Sequence, residues 1–115
     1  ALRRGEAVGL LPDQVPPEGM GIWSRMWQQP AYTMTLAARL AMQTDAQILL
    51  AWGERLPGGS GYCIHVQPMP TVLSSDLNTA VLQINQALEA LIRQRPEQYL
   101  WGYARFKQPR QEVWA

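Results

Sequence analysis

Ala46-Gln47-Ile48-Leu49-Leu50-Ala51-Trp52-Gly53-Glu54-Arg55-Leu56, then Pro57-Gly58-Gly59-Ser60-Gly61, then Tyr62-Cys63-Ile64-His65-Val66-Gln67, is the stretch on which the fold turns. The first block holds a continuous apolar run, which predicts a central strand covered on both faces. The glycine-rich block predicts a turn. In the third block Tyr62, Ile64 and Val66 alternate with Cys63, His65 and Gln67, and this period of two predicts a strand with one covered face. Strand, short glycine-rich loop and strand together predict a hairpin.

Upstream of this hairpin, Thr33 or Thr35 can cap a helix running to about Thr44, with Leu36, Ala37, Leu40 and Ala41 as its apolar stripe. Ile22 to Pro30 is ambiguous: Trp23, Met26 and Trp27 have helical spacing, but the stretch is short. Ala7-Val8-Gly9-Leu10-Leu11 predicts a buried strand stopped by Pro12-Asp13. Strand, helix and strand then predict a right-handed βαβ crossover with a parallel pair. The Pro/Gly-rich loop from Gln14 to Gly21 would lie outside the carboxyl end of that first strand, where open α/β sheets place their sites. Downstream, Pro68-Met69-Pro70 breaks the hairpin, and Ser74 or Ser75 can cap a helix to about Arg95. Its stripe is Leu77, Val81, Ile84, Leu88 and Leu91. Pro96 can open another short helix through Trp101, and a polar tail over 108–115 is expected to fray. The fold class is therefore α/β: a layered βαβ unit, a hairpin and C-terminal helices.

Composition narrows the function. The chain has 115 residues, 47% hydrophobic and 17% charged, which suits one globular unit or a piece of a larger one. Ten basic residues against nine acidic give +1, too small an excess for a strongly cationic nucleic-acid binder. A single cysteine, Cys63, excludes an internal disulfide framework and a cysteine-only zinc site, and a single histidine, His65, excludes multi-histidine metal sites. No run approaches the ~18 apolar residues that span a bilayer. The sequence does not open with Met, and Ala1 to Glu6 reads like the tail of a helix already under way. The expectation is a C-terminal part of a larger domain, with any membrane contact peripheral or made by a segment elsewhere.

Five places can carry chemistry. His65 invites general-base or metal work, but on these residues it reads as a strand histidine on a partly exposed face. Cys63 shares that face without a second ligand pair, and no third group orients a Cys-His pair. Asp13 can hold a substrate hydroxyl or orient an arginine, or it can cap its own turn. Tyr32, Thr33 and Thr35 place hydroxyls at a predicted helix N-terminus, where they can bind an anion or serve as ordinary caps. Glu54 and Arg55 are adjacent on a strand, so they face opposite sides and read as surface charges. Tyr99 to Lys107 interleaves aromatics with cations. That pattern suits single-stranded nucleic acid, an anionic lipid surface, or rings packed back on the domain, and composition favours the last.

Leu2 to Gln14, Pro30-Ala31-Tyr32-Thr33-Met34-Thr35, Glu54-Arg55-Leu56, Pro96-Glu97-Gln98-Tyr99-Leu100-Trp101 and Arg105-Phe106-Lys107 occur in that order. The ordered set resembles the C-terminal half of the lipid A biosynthesis lauroyl/myristoyl acyltransferase family. The resemblance implies a glycerol-phosphate-acyltransferase-like layered fold, with residues 1–107 as the C-terminal part of an acyltransferase domain. It implies transfer of an acyl chain from acyl carrier protein to a hydroxyl of a phosphorylated lipid A precursor, at the cytoplasmic face of the inner membrane of Gram-negative bacteria. It implies contact with the membrane surface, no nucleic acid and no cofactor or metal. A related glycolipid or lysophospholipid acyltransferase is the near alternative, and a non-catalytic module binding RNA or lipid headgroups the distant one. Family chemistry rests on a His-x4-Asp/Glu motif upstream of the Pro-Asp-Gln block. Here the residue five after His65 is Pro70, so no catalytic residue is assigned within the segment and no activity is expected of it alone. By family match, Asp13 and Gln14 fall in a substrate-binding block, and Tyr32, Thr33 and Thr35 in a block of structural or acceptor-positioning residues. Arg105 and Lys107 fall in a block that can meet lipid phosphates. Tyr103 and Ala104 depart from the family pattern.

Overall fold

Two hairpins and two helices make up the core of the chain. The structure is a computed structural model and describes residues 2–110. β1 (Gly21–Met26) pairs antiparallel with β2 (Gln29–Met34), and β3 (Leu49–Arg55) pairs antiparallel with β4 (Tyr62–Pro68). Each pair is a separate two-stranded sheet. α1 (Leu36–Thr44) follows the first hairpin, and α2 (Leu77–Ile92) follows the second. The α/β class holds in this form, with antiparallel sheets in place of the expected βαβ unit.

The reason lies in two segments. Ala7 to Leu11 forms no strand; it runs irregularly, with Val8 and Leu11 exposed. Without it the βαβ crossover has no first strand. The ambiguous stretch Ile22 to Pro30 is a tight hairpin. Its two-residue turn, Trp27-Gln28, takes positive φ at both positions (52° and 64°). Such turns favour Asn-Gly, so neither residue announces one. Contacts from α2 hold it: Trp27 N–H donates to Glu89 Oε1 at 2.7 Å, and the Arg93 guanidinium lies over the Trp27 ring at 5.0 Å.

The second hairpin forms as read. Its loop has a 3-10 turn over Pro57–Gly59, with Gly58 and Gly59 at φ of 66° and 71°. Coverage differs from the expectation on both strands. In β3 only Leu50 is buried, so this strand is not covered on both sides. In β4 the half-buried residues are His65 and Gln67, while Tyr62, Ile64 and Val66 are 72%, 69% and 59% exposed. Cross-strand register puts Leu49, Ala51, Gly53 and Arg55 opposite Pro68, Val66, Ile64 and Tyr62, so one largely apolar sheet face is bare.

α2 carries the core. Val81 and Ile84 pack with Ala38 and Ala80, and Ala87 and Leu91 pack with Leu50. Leu77 and Leu88 flank these clusters, so the predicted stripe is the buried one. Asp76 is the actual N-cap, accepting from Thr79 N–H at 3.0 Å; Ser74 instead accepts from Asp76 N–H. The Thr79 hydroxyl, which also donates to Asp76 Oδ2 at 2.8 Å, and then the capping bond hold the Asp76 carboxyl below the usual range. Thr35 is the N-cap residue of α1 and makes no side-chain cap bond. The expected helix from Pro96 is one 3-10 turn, Pro96–Gln98. Of the polar tail, residues 111–115 lie outside the described residues, and the Arg110 carbonyl accepts from Glu18 N–H at 3.0 Å. No helix among the described residues is long and apolar enough to cross a membrane.

Candidate functional site

Asp13 sits in the turn that ends the irregular N-terminal segment, and distant residues hold it there. The Tyr99 hydroxyl donates to Asp13 Oδ2 at 3.1 Å. Two residues on, Val15 N–H donates to the Tyr103 hydroxyl at 2.8 Å. Two tyrosines of the C-terminal segment therefore fasten one turn from more than eighty residues away. Burial, then the Asp13 carboxyl, push the Tyr99 phenol up to about 12, so it keeps its proton and stays a donor. Asp13 and Tyr99 line a cleft of about 230 Å³, with Leu91 and Trp52 on its apolar wall and Arg95 at its edge. A carboxyl group in a partly apolar cleft can accept from a hydroxyl or orient a cation, and binding sites are commonly built in this way. A larger groove of about 670 Å³ between the end of α1 and the segment Pro68 to Ser75 contains none of the predicted site residues.

The other predicted residues divide. Tyr32 and Thr33 belong to β2, not to a helix N-terminus, and both are buried. The Tyr32 hydroxyl accepts from Gly19 N–H (3.0 Å) and Gly21 N–H (3.2 Å), which ties the Pro/Gly loop to the first hairpin. Thr35 is buried at the start of α1. The Tyr32 and Thr33 hydroxyls are thus bonded internally, and of the three residues Thr35 alone stands at the helix N-terminus. Gln14 is exposed beside Asp13. Arg105, expected to meet phosphates at the surface, is 5% exposed. Its Nη1 donates to the Tyr32 carbonyl and its Nη2 to Thr33 Oγ1, each at 2.8 Å. Asn85 Nδ2 donates to the same Thr33 Oγ1 at 3.0 Å, and burial lowers the Arg105 pKa. Arg105 therefore fastens the first hairpin from within. Lys107 is exposed, its Nζ 5.3 Å from the Tyr103 ring centroid.

His65 has the acid partner that its neighbours in sequence lack. Its Nε2 lies 2.9 Å from Glu54 Oε1 across the hairpin, and its ring stacks on Trp52 at 4.6 Å and 14°. Glu54 and Arg55 do face opposite sides, but Glu54 bonds both His65 and Arg95. Sequence reasoning missed this pair because strand register, which places residue 54 beside 63 and 65, is not visible locally. It also missed Asn85, although a polar residue four positions after Val81 on an apolar stripe was a legible signal.

A family model described as "Bacterial lipid A biosynthesis acyltransferase" matches residues 1–108. The chain belongs to that family. A lipid A biosynthesis palmitoleoyltransferase of Escherichia coli (strain K12) is 32% identical over 108 residues, which is 93% of this chain and 35% of the relative. A lipid A biosynthesis acyltransferase of Shigella flexneri matches to the same extent, and a lauroyltransferase of Escherichia coli (strain K12) is 30% identical over 109 residues, 93% of this chain and 36% of its own length. The chain thus spans about a third of the length of these curated relatives. In this lipid A acyltransferase family member, the matched region runs through Asp13, both hairpins and the Tyr99–Arg105 segment.

Proposed function

We propose that the chain is the C-terminal part of an acyltransferase that moves a fatty acyl chain from acyl carrier protein to a hydroxyl of a lipid A precursor. The observation that carries this reading is the family match over residues 1–108. The names of the relatives supply the reaction class and the pathway. In the reaction the acceptor hydroxyl attacks the thioester carbonyl, a C–O bond forms and the C–S bond breaks, while the hydroxyl proton passes to a general base. The oxyanion needs preorganised donors. The base is assigned to a His-x4-Asp/Glu motif outside these residues, within a glycerol-phosphate-acyltransferase-like domain.

Within the chain, Asp13 is the positioning group. Its place in a cleft, oriented by a phenol that keeps its proton, suits a hydrogen bond to an acceptor hydroxyl or to an orienting cation. Gln14 stands beside it as a second polar contact. Tyr32, Thr33 and Arg105 act indirectly, by holding the loop and the first hairpin in place, and Thr35 adds its backbone N–H bond to the Met20 carbonyl. Leu100 and Trp101 are exposed on the segment that carries Lys107, and an apolar-cationic edge of this kind suits the cytoplasmic surface of the inner membrane.

The test is acyl transfer by the polypeptide extended to the length of its relatives, given acyl carrier protein thioester and a lipid A precursor. Acylated product is expected from the extended chain and none from residues 1–115 alone. An extended chain without product would refute the reading, and so would turnover by residues 1–115 that His65→Ala abolishes.

A further inference from the structure

Glu54, Cys63 and His65 each place one potential ligand atom within 4.8 Å of the other two. They come from two strands of one hairpin. Glu54 and Cys63 are direct cross-strand partners, and His65, two residues after Cys63, shares their face. We propose that this triad binds a zinc(II) ion through one thiolate, one imidazole nitrogen and one carboxylate oxygen, with a fourth position open to water.

The donor set fits that ion. Zinc is bound by Cys sulfur, His nitrogen and Asp/Glu oxygen, and three protein ligands plus a water is the usual open arrangement. Bond lengths of about 2.0–2.3 Å put donor atoms about 3.3–3.8 Å apart in a tetrahedron. The Glu54–His65 separation of 2.9 Å is already near that, and Cys63 needs a side-chain adjustment on the order of an ångström. The surroundings hold two of the ligands. Trp52 stacks on the His65 ring. Arg95 Nε donates to Glu54 Oε2 at 3.1 Å, which leaves Oε1 for a monodentate bond.

Access and protonation also fit. Cys63 is exposed and the His65 side chain is 38% exposed, so an ion can reach the site from solvent. In the unbound hairpin Glu54 Oε1 already accepts from His65, and on metal binding both atoms turn to the ion. On binding, Cys63 releases its thiol proton to solvent, and the ligating ring nitrogen of His65 offers its lone pair while the other keeps the ring proton. The site does not depend on acyl transfer; its three ligands lie outside the lining of the Asp13 cleft, although Trp52 and Arg95 border both places.

Cobalt(II) titration of the full 115-residue chain under reducing conditions near neutral pH tests it. A thiolate-to-cobalt charge-transfer band and intense visible bands of a tetrahedral ion are expected, saturating at one equivalent and abolished by one equivalent of zinc. Cys63→Ser should lose the charge-transfer band, and His65→Ala and Glu54→Gln should each weaken binding about tenfold or more. Circular dichroism of each variant checks that it folds, and zinc should raise the Tm of the unsubstituted chain whatever the variants do. No charge-transfer band up to millimolar cobalt would overturn the proposal. A band unchanged by His65→Ala and Glu54→Gln would also overturn it, because an isolated thiolate would then account for the signal.

Discussion

The two hairpins are built from the same motif and held by opposite means. The first has a turn with no sequence signal, Trp27-Gln28, and strong support from far along the chain: Glu89 and Arg93 grip its tip, and Asn85 and Arg105 bond Thr33 inside it. The second has a glycine-rich loop that specifies its own turn, and support on one side only. Its outer face, with Ile64 at its centre, faces solvent. Turn chemistry and tertiary packing thus substitute for one another within a single small chain. The hairpin easiest to read from sequence is the one with the less buried surface.

The largest contrast is expected from placing the same charge on the two sides of this difference. Ile84 on α2 is buried and belongs to the core cluster against which Ile22 of the first hairpin packs. Ile84→Asp strands a carboxylate in that core, and a loss of about 4 kcal/mol or outright unfolding is expected. Ile64→Asp on the bare face of the second hairpin should cost less than about 1 kcal/mol. Chemical denaturation of both variants measures the gap, and equal losses would mean that the outer face is not bare in solution.

A smaller contrast comes from the two strand glycines. A Cβ at Gly21 would collide with the Thr33 carbonyl oxygen and approach Pro16 Cγ at 2.9 Å. Gly21→Ala should cost about 1–3 kcal/mol. A Cβ at Gly53 would meet only Ile64 Cδ1, at 3.5 Å, an ordinary contact. Gly53→Ala should therefore stay within about 0.5 kcal/mol of the parent. Thermal melts of the pair decide it; a Gly53→Ala loss matching that of Gly21→Ala would mean that both hairpins are packed equally tightly.

The smallest effect sharpens the comparison at the Asp13 turn, which is fastened from a distance, as the first hairpin is. Folding raises the Tyr99 phenol to about 12 from its ordinary ~10. A raised folded pKa contributes stability that is full below the unfolded value and is lost as pH rises through the folded one. Stability should therefore fall between about pH 10 and 12, and Tyr99→Phe should flatten that fall. Phenolate absorbance should show a late-titrating component that Tyr99→Phe removes. A late component that is absent, or that survives Tyr99→Phe unchanged, would contradict the Asp13–Tyr99 bond.

Local signals made α2, the loop Pro57 to Gly61 and the strands around it legible, because periodicity and glycine punctuation are properties of neighbouring residues. The first hairpin was not legible, since its turn depends on Glu89 and Arg93, some sixty residues away. Ala7 to Leu11 misled for a related reason: an apolar run becomes a strand only where a partner edge exists, and no described strand pairs with it. At the candidate site, sequence selected Asp13 without its partner Tyr99, and the resemblance selected Arg105 without disclosing that it points inward. The pairing of Glu54 with His65 required the register of β3 on β4.

The most direct test of the central claim is the activity and melting temperature of Asp13→Asn in the polypeptide extended to the length of its relatives. The substitution keeps the size of the side chain and removes its charge, so it separates positioning from packing. Removing one positioning contact costs on the order of a hundredfold in rate. The expected result is a fall in kcat/KM of about that size for acyl transfer to the lipid A precursor, with Tm within about two degrees of the parent. Near-normal kcat/KM would reduce Asp13 to a turn residue, and a collapse in Tm would make it structural; either result would contradict the account.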